Sequence, residues 1–296
     1  LGPFTPHPDN PILTQRDLPE DRPDPITSVG HADFTQDHDG NWWAVFLGTR
    51  PYQGNEYNTG RETFLMPVHW ENGIPRLTAP GDLVPYVIQR PALPAQAEAA
   101  LPLTGNFTYT DEFDEETLPP HWLGVRVPAE DMYWLEAGEL VLKKRAEGVG
   151  DAGTPSFLAR RLQHTYAEAH TEVLFAPGTS EDEAGIAAFQ NDAAYYSLGV
   201  SLDKDGAPVV RLRKRAGADT SPDGDTLIEM PALAAPGEAL KLKIAVRGPE
   251  IDFYQAPAGG TWQPVALGED GTILSTEKAG GFVGTLLGVY AQAGAE

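Results

Sequence analysis

Glycine and proline, 31 and 27 of the 296 residues, recur along the whole chain and cut its apolar sequence into strand-sized pieces. Proline removes a backbone donor and fixes φ, and glycine weakens a helix interior. Between them stand short runs rich in Val, Leu, Phe, Tyr and Trp, and no long stretch keeps a helical period. A chain punctuated in this way is expected to be all-β.

Residues 32–36 and 42–47 flank Asp37-His38-Asp39-Gly40-Asn41, and Asp-Gly between two such runs is a strong hairpin signal because glycine accepts positive φ cheaply. A third run, 63–70, sets Thr63 and Leu65 against Phe64, Met66 and Val68 on opposite faces and ends at Glu71-Asn72-Gly73. The three runs together resemble one antiparallel propeller blade with a long loop, 48–60, between its second and third strands. Residues 91–104, with prolines near both ends and no alternation, read as a linker. Beyond it, strand candidates fall at 138–144, 156–163, 171–175, 184–189, 195–202, 208–214, 240–246, 251–255 and 282–290. The clearest is Leu240-Lys241-Leu242-Lys243-Ile244-Ala245-Val246, where alternate residues are bulky and apolar, as a sheet with one buried face requires. Short strands separated by turn signals argue for a β-sandwich. The expected organisation is therefore a propeller portion over 1–90, a linker over 91–104 and a sandwich over 105–296.

A propeller fragment this short leaves apolar faces uncovered, because repeat units are stable only against neighbours. The first domain is thus expected to be incomplete, with an N-terminal propeller half as its missing partner. Leu1-Gly2-Pro3-Phe4 has neither an initiator methionine nor the regions of a signal peptide, and it reads as mid-protein sequence.

The balance of 43 acidic against 21 basic residues gives a formal charge of -22. Such a field repels phosphate backbones, so nucleic acid is not an expected partner, whereas a neutral oligosaccharide is neither attracted nor repelled. The absence of cysteine excludes disulfides, thiolate catalysis and zinc-thiolate sites, and leaves cytoplasmic and secreted locations equally open. The longest apolar runs, 184–189 and 282–290, fall far short of the roughly 20 residues of a spanning helix. A soluble protein with no membrane segment is expected.

Gly30-His31-Ala32-Asp33 is followed by Trp42-Trp43-Ala44-Val45-Phe46-Leu47-Gly48, then Arg50-Pro51-Tyr52, then Asn58-Thr59-Gly60-Arg61-Glu62-Thr63-Phe64-Leu65. This ordered set, preceded by Asn10-Pro11-Ile12-Leu13-Thr14, resembles the last blades of the five-bladed propeller of glycoside hydrolase family 43, in its β-xylosidase and α-L-arabinofuranosidase branch. Asp111-Glu112-Phe113-Asp114, His121-Trp122, the run from Phe157 to His164 and the run from Ala184 to Asn191 resemble the concanavalin-like β-sandwich that follows that propeller. The two resemblances cover nearly the whole chain.

The resemblance implies an inverting glycosidase acting on xylan- or arabinan-derived oligosaccharides, with a carboxylate base, a carboxylic acid and a third carboxylate that tunes the acid. In the family all three lie upstream of the part matched here, so no catalytic carboxylate is assigned to this chain. Two residues carry over by motif. His31 matches the histidine near the propeller axis, below the sugar, which contributes to a bound calcium or similar ion. Hard cations prefer oxygen, so a role through water is expected, and the competing reading is a core histidine with a backbone partner. Arg61 matches the arginine that reaches the terminal sugar, where its fork of donors holds hydroxyls or a carboxylate. Its competing reading is an ion pair with Glu62 or another acid. Tyr52, Tyr57 and Asn58 either line the sugar pocket or are exposed loop residues. Trp42 and Trp43 point to opposite faces of one strand, so at least one belongs to the blade core. Gln190, Asn191, Tyr195 and Tyr196 form either a lectin-like sugar face or, the favoured reading, core and surface packing. Arg211-Leu212-Arg213-Lys214-Arg215 reads as the solvated face and end of a strand, paired with nearby acids. The alternative to an enzyme is a non-catalytic carbohydrate-binding sandwich carrying a remnant blade.

Overall fold

The computed structural model describes residues 2–94, 97 and 105–294. Contacts divide the chain into two compact units. The first comprises Leu1–Pro51 and Arg61–Asp111, and the second Tyr52–Gly60 and Glu112–Glu296. The loop 52–60 therefore belongs to the second unit, although the chain on both sides of it belongs to the first. Residues 91–94 and 97 of the expected linker have no regular secondary structure, and the rest of that stretch lies outside the described residues.

The first unit is built on one antiparallel sheet of Thr27–Gln36 (β1), Trp42–Thr49 (β2), Glu62–Glu71 (β3) and Ile74–Arg76 (β4), ordered β1-β2-β3-β4. The first hairpin closes at the Asp-Gly turn, where Asp37 Oδ1 accepts from the N–H groups of Asp39 (3.0 Å) and Asn41 (2.9 Å) and Gly40 takes φ +86°. At the second turn Asn72 and Gly73 both have positive φ, as a tight two-residue hairpin turn needs. Alternation buries Ala44, Phe46, Met66 and Val68 with Ile26, Leu77 and Val84. The opposite face leaves the cross-strand neighbours Val45 and Leu65 39% and 37% exposed.

The second unit is the sandwich. Its strands are Leu123–Gly124 (β5), Tyr133–Glu136 (β6), Glu139–Leu142 (β7), Ser156–Arg161 (β8), Tyr166–Leu174 (β9), Glu183–Asn191 (β10), Ala194–Leu202 (β11), Pro208–Ala216 (β12), Asp225–Pro231 (β13), Ala239–Arg247 (β14), Glu250–Pro257 (β15), Gln263–Asp270 (β16) and Leu286–Gln292 (β17). They form a seven-stranded sheet, β13-β12-β11-β10-β17-β8-β5, a four-stranded sheet, β16-β15-β14-β9, and a small hairpin, β6-β7. Leu240, Leu242, Ile244 and Val246, the alternating apolar residues of β14, are all buried against Ile186, Tyr196, Leu198 and Leu212 of the larger sheet. Each such side chain stabilises the fold by about 1.5–3 kcal/mol through burial.

Besides the short β4, β5 and β6, two strands, β13 and β16, have no counterpart among the sequence expectations. Both are sheet edges with few buried residues, so neither needs the apolar alternation that marks a strand. The last strand begins at Leu286, because residues 280–284 form a glycine-rich arm ahead of it. Between β16 and that arm lie a 3-10 turn, Gly271–Leu274, and a one-turn helix, Thr276–Ala279 (α1), with Ser275 between them as N-cap of the helix.

Candidate functional site

His31 sits in the middle of β1, where the pairing with β2 slips twice, between Thr27 and Gly30 and again between Gly30 and Asp33. Ser28 and His31 lie inside these irregularities and both take φ +53°. A left-handed conformation at a histidine within a strand is uncommon, and bulges of this kind re-aim a side chain. His31 is exposed in this chain. Among the described residues no three His, Cys, Asp or Glu gather as a metal-holding group. His31 thus belongs to no such group among the described residues, and no chemistry is routed through a metal.

Arg61 is exposed immediately before β3. Glu62, the acid considered as its ion partner, is gripped by Arg50, the residue just past the end of β2, which donates through Nε to Oε1 (2.8 Å) and through Nη2 to Oε2 (2.7 Å). This fork holds the Arg50 guanidinium more basic than usual. Two parallel charge-assisted bonds fix the ends of β2 and β3 next to Arg61.

The loop 52–60 corrects both sequence readings of Tyr57 and Asn58, which are neither exposed nor pocket-lining but buried within the sandwich unit. The Tyr57 N–H donates to Ser275 Oγ (3.1 Å) and Asn58 Nδ2 donates to the Gly271 carbonyl (3.2 Å). Thr285 N–H donates to the Asn58 carbonyl at 2.8 Å. Tyr52 donates its phenol proton to Asn58 Oδ1 (3.1 Å), and burial pushes that phenol's pKa upward. Gly60, at φ +68°, faces Gly284 so closely that a Cβ on it would lie 2.8 Å from the Gly284 Cα.

The arm 280–284 runs beside this loop and carries Phe282, which is 67% exposed. Gln190 Nε2 donates to the Gly280 carbonyl (2.9 Å), Asn191 Nδ2 to the Ala279 carbonyl (2.9 Å) and Thr276 Oγ1 to the Val283 carbonyl (3.2 Å). Sequence reasoning absorbed this segment into a strand. The available signal was Gly280-Gly281-Phe282-Val283-Gly284, since glycines at φ +78° and +72° ahead of an aromatic mark a projecting loop rather than a strand.

The lectin-like face is not formed. Tyr195 and Tyr196 are 1% and 0% exposed, donating to the carbonyls of Pro222 (2.6 Å) and Asp270 (3.1 Å), and Gln190 is 3% exposed. The basic run is paired as expected but not solvated. Arg211 and Arg215 are buried, and Arg211 binds Glu229 (2.8 Å), Glu183 (3.4 Å) and Ser201 (3.1 Å). Glu183 also accepts from Arg213 Nε (3.2 Å) and from the Tyr290 hydroxyl (2.6 Å), a closed network that shapes the sheet.

Comparison with known proteins follows this division. Residues 110–296 match the Beta xylosidase C-terminal Concanavalin A-like domain, and residues 1–75 match Glycosyl hydrolases family 43. The chain is similar to a non-reducing end alpha-L-arabinofuranosidase of Bacteroides ovatus, 34% identical over 98% of this chain and 52% of that protein. It is also similar to a xylosidase/arabinosidase of Butyrivibrio fibrisolvens, 33% identical over 96% of this chain and 52% of that one. Among solved structures, a Bacteroides ovatus GH43B of a xyloglucan PUL superposes with TM-score 0.84 at 31% identity, covering 98% of this chain and 55% of that one. The xylan beta-1,4-xylosidase of Bacillus halodurans C-125 gives TM-score 0.84 at 25% identity, covering 98% and 54%. The chain spans about half the length of the curated relatives it matches, 52% for each of the two named. With the concanavalin-like profile matching well over half of it, the chain belongs to glycoside hydrolase family 43.

Proposed function

We propose that this chain is the C-terminal half of an inverting glycosidase that releases xylose or arabinose from the ends of xylan- or arabinan-derived oligosaccharides. The observation that carries this reading is the similarity, over 98% of the chain at 34% identity, to a non-reducing end alpha-L-arabinofuranosidase. The four-stranded sheet of the first unit is read as one blade of a five-bladed propeller whose remaining blades come from upstream sequence. Its uncovered face, with Val45 and Leu65 more than a third exposed, supports a neighbouring blade as the missing partner.

In this reading the acid and base carboxylates lie on the upstream blades, about 6.5–9.5 Å apart with the attacking water between them. Arg61 holds hydroxyls of the terminal sugar, or a catalytic carboxylate, through its planar fork of donors. His31 stands near the propeller axis, re-aimed by its bulge, and reaches the site through water. The burial of Tyr195, Tyr196 and Gln190 speaks against a separate carbohydrate-binding face on these residues.

The test is hydrolysis of nitrophenyl β-xyloside and nitrophenyl α-L-arabinofuranoside by this chain alone and by the chain extended with its upstream sequence. Release by the extended form only is the expected result. Release by the chain alone would place the carboxylates within it and overturn the assignment. Retained binding of xylo-oligosaccharides without hydrolysis in either form would favour a binding module.

A further inference from the structure

We infer that the sandwich unit is a positioning clamp for Arg61, with Gly284, Ser275 and Thr285 as positioning residues that act through the loop 57–60. The inference rests on the reading of Arg61 as the sugar-holding arginine. Arg61 is the next residue after Gly60, and residues 57–60 are all buried inside the sandwich unit. The connection between β2 and β3 is long for a hairpin, and although the Arg50 fork holds Glu62, a long free connection would leave the backbone that enters Arg61 from the loop side unset.

The seam that prevents this is specific. The Ser275 hydroxyl accepts from the Tyr57 N–H (3.1 Å) and from the Glu277 N–H (3.2 Å), so one atom both caps the short helix and holds the loop. The Thr276 N–H donates back to the Tyr57 carbonyl at 3.4 Å, and Thr285 ties the Asn58 carbonyl at 2.8 Å. Thr285 is itself pinned, its Oγ1 donating to the Leu274 carbonyl at 3.3 Å. At the end of the seam Gly60 and Gly284 meet backbone to backbone, and a Cβ on Gly284 would lie 2.9 Å from the Gly60 nitrogen. Gly60 has φ +68°, a conformation glycine takes without strain, and this sets the peptide entering Arg61. A small rotation there is magnified at the far end of the arginine side chain, and a misplacement of about 1 Å can cost roughly 100-fold in rate.

The test combines two independent readouts. In the protein carrying the upstream sequence, Gly284→Ala is expected to lower kcat/KM on the nitrophenyl glycosides at least tenfold while the thermal transition persists. If Gly284 acts through Arg61, the double variant Gly284→Ala/Arg61→Ala is no worse than Arg61→Ala alone, because the two losses are one. Additive losses, or kcat/KM within twofold of the parent in Gly284→Ala, would overturn the clamp. Ser275→Ala adds no bulk and serves if Gly284→Ala fails to fold, with the same non-additivity expected. Hydrogen exchange is read separately and needs no activity: in Ser275→Ala the Tyr57 amide is expected to exchange at least tenfold faster while those of β10 and β11 are unchanged. An unchanged Tyr57 rate refutes the clamp. Accelerated Tyr57 exchange in a protein that hydrolyses neither glycoside would instead leave the clamp standing and reject the glycosidase reading.

Discussion

Asn58 separates the sandwich-anchored loop from a sugar-lining one most sharply, because the two roles predict opposite phenotypes for Asn58→Ala. The side chain is 1% exposed, with Nδ2 on the Gly271 carbonyl at 3.2 Å and Oδ1 accepting from the Tyr52 hydroxyl at 3.1 Å. Truncation removes both bonds and strands a buried carbonyl. A typical bond contributes about 0.5–1.5 kcal/mol, and an orphaned buried polar group costs about 1–3 kcal/mol. Tyr52 is only partly buried, so its phenol can turn to water and recover some of the loss. The expected destabilisation is about 2–3 kcal/mol, which for a unit of this size lowers Tm by roughly 4–12 °C. Calorimetry following the sandwich transition measures it. A shift below about 1 °C, the range of an exposed substitution, together with a selective rise in KM, would refute the placement of Asn58 within the sandwich.

Other consequences follow from the same geometry. Asp37 accepts from Trp43 Nε1 (2.9 Å) and Asn41, and these bonds, the tryptophan's first, lower its pKa from 3.8 to about 2. A depressed carboxylate stabilises the fold above its unfolded pKa and loses that contribution as pH falls through the folded value. Tryptophan fluorescence of the first unit should therefore change between about pH 4 and 2, and Asp37→Asn should abolish that step; a step that survives refutes the assignment. Glu183→Gln leaves Arg211 and Arg213 facing a neutral amide in a buried network, and breaking such a pair costs about 3–5 kcal/mol. The urea midpoint should fall with unchanged slope, and an unaltered midpoint would mean that the network contributes nothing. Tyr196→Phe should lower stability by about 1 kcal/mol through loss of the Asp270 carbonyl bond and leave xylo-oligosaccharide binding untouched; a binding defect would restore the lectin-like face.

How much was legible in the sequence depended on whether a signal was local. The Leu240–Val246 alternation and the Asp-Gly and Asn-Gly turns survive intact, because period and turn chemistry are set within a few residues. The edge strands β13 and β16 were silent, since an edge needs little apolar alternation. The burial of Arg211 and Arg215 was missed because the carboxylates and carbonyls that receive them come from distant strands and loops. Among the site residues, the motif located His31 and Arg61 but not the bulge around His31 or the Arg50 fork on Glu62, which depend on strand pairing. The loop 52–60 was hardest to read: its partners at 271–285 are more than two hundred residues away, and only the glycines at 60 and 284 hint that two backbones meet.

The most direct test of the central claim, that this chain completes a glycosidase site through Arg61, is kcat/KM for Arg61→Ala in the protein carrying the upstream sequence. Hydrogen bonds from a charged donor contribute about 1.5–3 kcal/mol, so a fall of roughly 10- to 150-fold is predicted, with the thermal transition unchanged. Activity equal to the parent on both nitrophenyl glycosides would contradict it.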